Sequence, residues 1–259
     1  SEIIKSTLGE YRKPLSDQQI DSILAKSDAA KPLYLKVACE ELRVFPNHNL
    51  INTRINNLPE TIPELFAQLL ERLESDHNPE LVKDTMCLIE CSMYGLLESE
   101  LLELLKPDDK EKLPLNTWAR LYRNLAPYLI NAGENKDGLL DFFHLQFTFA
   151  VRARYLLDEE TEIHYFKKLA DYGLKKYYLT NGDISNTILF TGIYLYKASE
   201  EDKLYLLLKN ILTFVKKDYY YTYEKLLFHL FDWVVNNYNL KDEFILRITL
   251  EKLIRNDEP

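Results

Sequence analysis

Few residues in this chain have side chains and spacing suited to chemistry. His144 stands in "DFFHLQF", between large apolar residues, where a glycine-punctuated turn gives way to an apolar helical run. A histidine at such a boundary is either a capping or core group, or a donor beside the positive end of a helix, where an anion is welcome. Cys87 and Cys91 are four apart and share a helix face, as two metal ligands do, but no His or Cys pair completes a tetrahedral set, so they and Cys39 read as buried packing residues. His48, His77, His164 and His229 are scattered and read as surface or packing groups. No Ser/His/Asp set, Cys/His pair or metal cluster forms, and no catalytic or metal-binding residue is assigned. With only 7 glycines there is neither a GxGxxG run nor a GxxxxGK followed by Ser or Thr, so the chain by itself is read as no enzyme.

The elements that position these residues are almost all helical. "LSDQQIDSIL" opens on a Ser16/Gln19 capping box and then places Ile20, Ile23 and Leu24 on one face. "KPLYLKVACEELRVF" puts Pro32 in a first turn, where its missing N–H costs nothing, and runs Tyr34, Val37, Ala38, Leu42 and Phe45 along a buried stripe. "LPETIPELFAQLLERLESD" repeats the device with Thr61 and Glu64 around Pro63, and with Leu65, Leu69 and Leu73 as its apolar face. Asn78-Pro79 starts a further helix that Gly95 ends; "LLESELLELL" and "LNTWARLYRNLAPYL" follow as helices. "YLINAGENKDGLLDFF" reads as two short strands around Gly133 and Gly138, and "HLQFTFAVRARYLL" as a helix whose Arg152 and Arg154 suit the negative end of the macrodipole.

The fold class expected is therefore mainly α: a helical domain over 1–77, a winged helix-turn-helix with a short β-hairpin over 78–157, and an all-α arm over 158–259. Gly182, Asn186-Thr187 and the acidic run from Ser199 to Asp202 mark turns in the arm, and no 34-residue tetratricopeptide period emerges there.

Net charge is −9, from 32 basic and 41 acidic residues, which argues against a broad nucleic-acid footprint. Two local features could still serve one. The helix at Leu115 offers Arg120 and Arg123, but Leu115, Trp118, Leu121, Leu125 and Tyr128 are claimed by packing, and Lys136 is the only cation in the wing. "FVKKDYYYTYEKLLFHLF", from Phe214 to Phe231, interleaves lysines and aromatics, yet it fits packed faces and a protein-binding surface better. An odd cysteine count fits a reducing compartment, and no apolar run is long enough to span a membrane, so a cytoplasmic protein is expected.

In order, "AKPLYLKVACEELRVF", "LPETIPELFAQLLERLE", "GLLESELLELL" and "FFHLQFTFAVRARYL" resemble the signal-transducing ATPases of the STAND class, in the NACHT-type branch that includes nephrocystins and telomerase-associated proteins. The similarity covers roughly Glu2 to Leu156. It implies a P-loop ATPase core before Ser1, with Pro32 packing near the adenine and His144 meeting the β-phosphate of ADP. ADP or ATP would then be bound only together with that core, and this chain would be the autoinhibitory, nucleotide-sensing portion of a signalling switch that acts through protein interactions or self-oligomerisation. The chain departs from the pattern in one respect: Phe147 and Thr148 stand where relatives commonly carry an acidic residue. The alternatives are a winged-helix nucleic-acid binder and a purely helical protein-interaction scaffold.

Overall fold

A computed structural model describes residues 1–11, 13–45, 47–92, 95–130, 138–179, 186–204 and 206–207. The described chain is mainly helical and forms two compact units, Ser1–Asp158 and a second from Glu159 onward.

In the first unit, α1 (Glu2–Glu10), α2 (Asp17–Leu24), α3 (Pro32–Val44), α4 (Ile51–Asn56) and α5 (Ile62–Asp76) precede α6 (Pro79–Cys91), β1 (Leu96–Leu97), α7 (Glu98–Leu104), α8 (Leu115–Leu125), β2 (Leu139–Leu140) and α9 (Leu145–Tyr155). Local chemistry sets most of the helix starts. Ser16 and Gln19 form the expected reciprocal box, and Asn78 Oδ1 accepts the Leu81 N–H at 3.0 Å. At α5 the Thr61 N–H and hydroxyl both donate to Glu64, while Asp28 accepts the Ile62 N–H at 2.9 Å from outside the helix. Lys13 Nζ donates to the carbonyls of Arg43 and Phe45, at 2.6 and 2.8 Å, placing a cation at the negative end of α3.

Helix α3 packs on α1 and α5, and α9 lies against α5 and α6. Tyr34, Val37, Ala38 and Leu42 are buried as their spacing predicts, along with Leu65, Leu69, Leu73, Phe147 and Val151. Through this core run carboxylate–guanidinium contacts that join helices distant in sequence. Glu41 of α3, with no solvent exposure, accepts from Arg54 Nη2 of α4 at 3.0 Å and from Arg72 Nε and Nη2 of α5 at 2.9 and 2.8 Å. The Tyr128 hydroxyl, in the 3₁₀ turn after α8, completes the set at 3.3 Å. Glu74 of α5 takes a two-pronged contact from Arg154 of α9, at 2.8 and 2.6 Å, and the Tyr155 hydroxyl at 2.5 Å. Arg152 reaches Glu90 of α6 at 3.1 Å. The arginines expected to answer the α9 macrodipole thus reach across to neighbouring helices and hold α9 to them.

The strand pairing is wider than the sequence suggests. Leu129 bridges Phe142, with Ile130 N–H to Asp141 O at 2.8 Å, so the two flanks read as strands do approach each other. The antiparallel ladder, however, is β1 with β2, Leu96 against Leu140 and Leu97 against Leu139. Leu96 and Leu97 were expected to be helical, but α7 begins only at Glu98, after Leu97 donates its N–H to Glu100 at 3.0 Å. Gly95 makes the entry possible: its φ is +84°, and a Cβ there would stand 2.7 Å from the Leu140 carbonyl oxygen. Gly133 and Lys136 lie outside the described residues.

In the second unit α10 (Glu159–Leu179) packs on α11 (Asn186–Lys197), with Gly173 allowing Thr191 to come close and Phe166 stacked near Tyr194 at 6.4 Å. Lys203 reaches Asp171 at 2.8 Å. Ser199 turns the chain with φ +55°, and residues 201–204 and 206–207 are again helical. The aromatic stretch from Phe214 to Phe231, Gly182 and His229 lie outside the described residues.

Glu41→Ala takes the shared, fully buried carboxylate from two half-buried guanidiniums, leaving Arg72 only Asp76, and should cost about 3–5 kcal/mol of unfolding free energy in denaturant titration. A variant as stable as wild type would show that the cluster holds nothing together. Glu74 gives a pH-resolved counterpart. Hydrogen bonding from Arg154 holds its carboxyl below the usual range against the opposing effect of burial. A lowered folded-state value contributes stability that is complete above the unfolded value of ~4.3 and lost as pH falls through the folded one. The stability difference between wild type and Glu74→Gln should accordingly be full at neutral pH and shrink in acid, and a difference constant across that window would contradict the assignment.

Candidate functional site

His144 is the N-cap of α9, with extended backbone at φ −152° and ψ 133°. Its Nδ1 accepts the Gln146 N–H at 3.1 Å. One ring nitrogen is therefore committed to the helix as an acceptor, and the tautomer that permits this carries its N–H on Nε2. The imidazole is exposed. Using Nδ1 this way also removes one first-turn amide from the set that an anion could use, because the Gln146 N–H is already engaged.

Around it, two elements that are remote in sequence meet. The His144 ring lies 5.8 Å from the Phe143 ring, and Lys36 Nζ sits over Phe143 at 4.5 Å from its centroid. Lys36 is one helical turn beyond Pro32, which begins α3 and is itself exposed. Lys36 of α3 thus lies against Phe143, the residue before His144, and Pro32 stands one turn earlier on the same helix. Leu145 and Phe149 of α9 are 62% and 52% exposed, large values for apolar residues one turn apart on a single helix. Asp141 lies just before this segment, and burial raises its carboxyl above the usual range, against the lowering effect of the Phe142 N–H.

The sequence points to His144 and Pro32 but gives no sign of the contact between Lys36 and Phe143. Nothing in the local pattern distinguishes Lys36 from a solvated lysine; only the packing of α3 against the segment before α9 brings it to Phe143. Glu41 was also missed, although a glutamate on the buried side of an amphipathic helix is a readable signal.

The remaining candidates fall elsewhere. Cys39, Cys87 and Cys91 are buried, and burial, with a smaller effect of Glu40, pushes the Cys39 thiol up to about 12, far from a reactive thiolate. His77 closes α5 and lies 2.9 Å from the Asn124 amide nitrogen; burial holds its imidazole below the usual range, with Arg120 and Arg72 acting in the same direction and Asp76 opposing. His164 sets its ring edge-on to Tyr165. Among the described residues no group of three His, Cys, Asp or Glu is placed to hold a metal ion, and no helix is long and apolar enough to cross a membrane. On α8, Trp118, Leu121 and Leu125 are buried as expected, whereas Leu115 is 61% exposed and leaves the packed face.

The chain is similar in part to several large proteins. It is 31% identical over 176 residues to NACHT domain- and WD repeat-containing protein 1 of Homo sapiens, covering 61% of this chain and 11% of that protein. It is 28% identical over 109 residues to telomerase protein component 1 of Mus musculus, covering 40% of this chain and 4% of that protein. It is 25% identical over 174 residues to a TPR repeat-containing protein of Dictyostelium discoideum, covering 65% and 10%. The chain thus spans only a small part of the length of these relatives. No family model and no solved structure matches it.

The cap geometry separates two roles of His144. His144→Ala should lose about 0.5–2 kcal/mol of stability through the lost cap, whereas His144→Asp, which supplies a better acceptor beside the same amides, should unfold at or above the wild-type denaturant midpoint. Equal destabilisation by both substitutions would show that the ring contributes by packing and not by capping.

Proposed function

We propose that this chain is the control portion of a NACHT-related nucleotide switch in the cytoplasm: a helical domain and a winged helix that close over ADP held by a P-loop core in the same longer polypeptide, followed by a helical arm that contacts proteins. On this reading the chain performs no catalysis. Pro32 packs near the adenine, and His144 donates its Nε2–H to the β-phosphate. The observation that carries the reading is the contact of Lys36, one turn after Pro32 on α3, with the ring of Phe143, the neighbour of His144. The order α6, β1, α7, α8, β2 and α9, with the Leu129–Phe142 bridge beside β2, supports the winged-helix description. The partial similarity to a NACHT- and WD repeat-containing protein and to a TPR repeat-containing protein supports a helical protein-interaction region within a large multidomain chain.

The chemistry differs in one respect from a simple cationic contact. With Nδ1 engaged as an acceptor, the donor offered to phosphate is the Nε2–H of a tautomer that the helix itself selects. A hydrogen bond to a charged oxygen is worth ~1.5–3 kcal/mol, or roughly 10- to 150-fold in affinity, which lies within the range of coupling energies that bias two-state switches. Lys36, over the ring of the neighbouring Phe143, adds a positive charge to this segment.

His144→Asp gives the discriminating test because it keeps the cap and replaces the donor with a negative charge. In the full-length protein, ADP should dissociate roughly 10- to 150-fold faster from this variant, with an unfolding midpoint no lower than wild type. An unchanged ADP dissociation rate would remove the phosphate contact, and the absence of a P-loop upstream of Ser1 in the native coding sequence would remove the switch itself.

A further inference from the structure

Arginines in the first unit follow a consistent rule. Arg43 pairs with Glu40, Arg54 and Arg72 with Glu41, Arg152 with Glu90, and Arg154 with Glu74. In four of these five, a guanidinium on one helix meets a glutamate on another, so the crossing of two helices is sealed by an Arg–Glu contact. Arg120 and Arg123 break the rule. Both project from the solvent face of α8, opposite buried Trp118, Leu121 and Leu125, and neither forms an ion pair with any described carboxylate. This occurs in a chain with 41 acidic and 32 basic residues, where a carboxylate partner is easily found. Asn116 lies one turn before Arg120 and shares the exposed face, as does the small Ala119, which lets another backbone approach.

The geometry points to α8 as a docking face for an acidic helix of a partner protein, whose glutamates, one turn apart, would meet Arg120 and Arg123 as Glu41 and Glu74 meet their arginines inside the unit. The spacing fits, since positions three or four apart on a helix stand neighbouring side chains on one side. Exposed Leu115, at 61%, borders the arginine row and offers an apolar contact at its end. A glutamate-bearing helix suits the site better than a nucleic acid. Phosphate backbones need an extended cationic footprint, whereas the lysines that precede α8, Lys106, Lys110 and Lys112, alternate with Asp108, Asp109 and Glu111 on a chain of net charge −9. The inference is independent of the nucleotide reading, which uses α3 and α9.

The test titrates the purified chain with a fluorescein-labelled amphipathic helical peptide of Ala, Leu and Glu, its glutamates spaced four apart, alongside the same peptide with Gln for Glu and a labelled DNA duplex. Anisotropy should report binding of the Glu peptide alone, weakening with salt as exposed charge pairs do. Arg120→Glu/Arg123→Glu should lower affinity ~10-fold or more, since the contact becomes a like-charge one. Lys5→Glu/Lys175→Glu changes the net charge equally at other exposed positions and should leave binding intact. Arg120→Gln/Arg123→Gln replaces the reversed pair should that variant not fold, as judged by its thermal transition. Loss of binding in the Lys5/Lys175 variant as large as in the arginine variant would reduce the effect to overall charge and overturn the site. Retention of the Glu peptide by the arginine variant, failure of wild type to bind it, or binding of duplex in its place would also overturn the proposal.

Discussion

A carboxylate buried away from water must be met by charge, and Glu41 is met from three directions. Desolvating an ionised group costs several kcal/mol even after the protein relaxes, so the contacts around it are obligatory, not decorative. Arg54 and Arg72 supply two guanidiniums and Tyr128 a hydroxyl, which brings α4, α5 and the turn after α8 to one point on α3. The cost of its own burial opposes the rise in Arg72's pKa, which hydrogen bonding to Glu41 wins. Burial chiefly, with Glu41's charge beside it, pushes the Tyr128 hydroxyl far above its ordinary range, so it stays a donor. Apolar packing tolerates a modest slide of one helix past another; this cluster does not, because any slide strands a charge. It fixes the register of α3, α4 and α5, and it ties the segment before β2 to helices that occur much earlier in the chain.

Helices α2, α3, α5 and α6 were legible in the sequence because their signals are local, whereas α1 and α4, which carry no such start signal, were not. Ser16 with Gln19, Thr61 with Glu64, and prolines in the first turns of α3, α5 and α6 act within a few residues, and the observed starts follow them. The cluster around Glu41 was not legible, since its contacts join residues 13, 31 and 87 apart in sequence. The same holds for Arg154, whose position in the last turn of α9 suggested the helix dipole while its partner Glu74 lies 80 residues away. β1 escaped for a different reason. Two residues are too few to display alternation, and they are followed directly by strong helix formers, so only the left-handed turn at Gly95 marks the change.

At His144 the sequence posed a choice between a capping group and a ligand, and the geometry makes the two compatible. A cap uses one ring nitrogen, and the imidazole has two. Ser, Thr, Asp or Asn could satisfy the Gln146 amide equally well, but none would then present a second donor at the distance of Nε2. The structural duty of the ring also orients it: the bond to Gln146 fixes its plane relative to α9, which is the second-nitrogen logic by which histidines are held for binding.

Helix α3 links these two themes. Its first turns carry Pro32 and Lys36 to the surface, while Glu41 farther along is anchored in the core. Tyr128, which touches Glu41 through its hydroxyl, turns its ring toward Phe143 and Phe147, at 6.4 and 5.7 Å, and Phe147 also meets Phe66 and Phe142 at 5.1 and 5.0 Å. Lys36 in turn lies on Phe143, the neighbour of His144. The surface group and the buried charge are thus two ends of one rigid arrangement of α3 and an aromatic cluster. A side chain that binds by geometry needs such a support, because a loosely held imidazole and ammonium would lose to disorder what they gain in contact. The mostly local grammar of the helices builds the parts, and the Glu41 cluster, through Tyr128, holds α3 to the aromatic segment that carries Phe143 and meets Lys36.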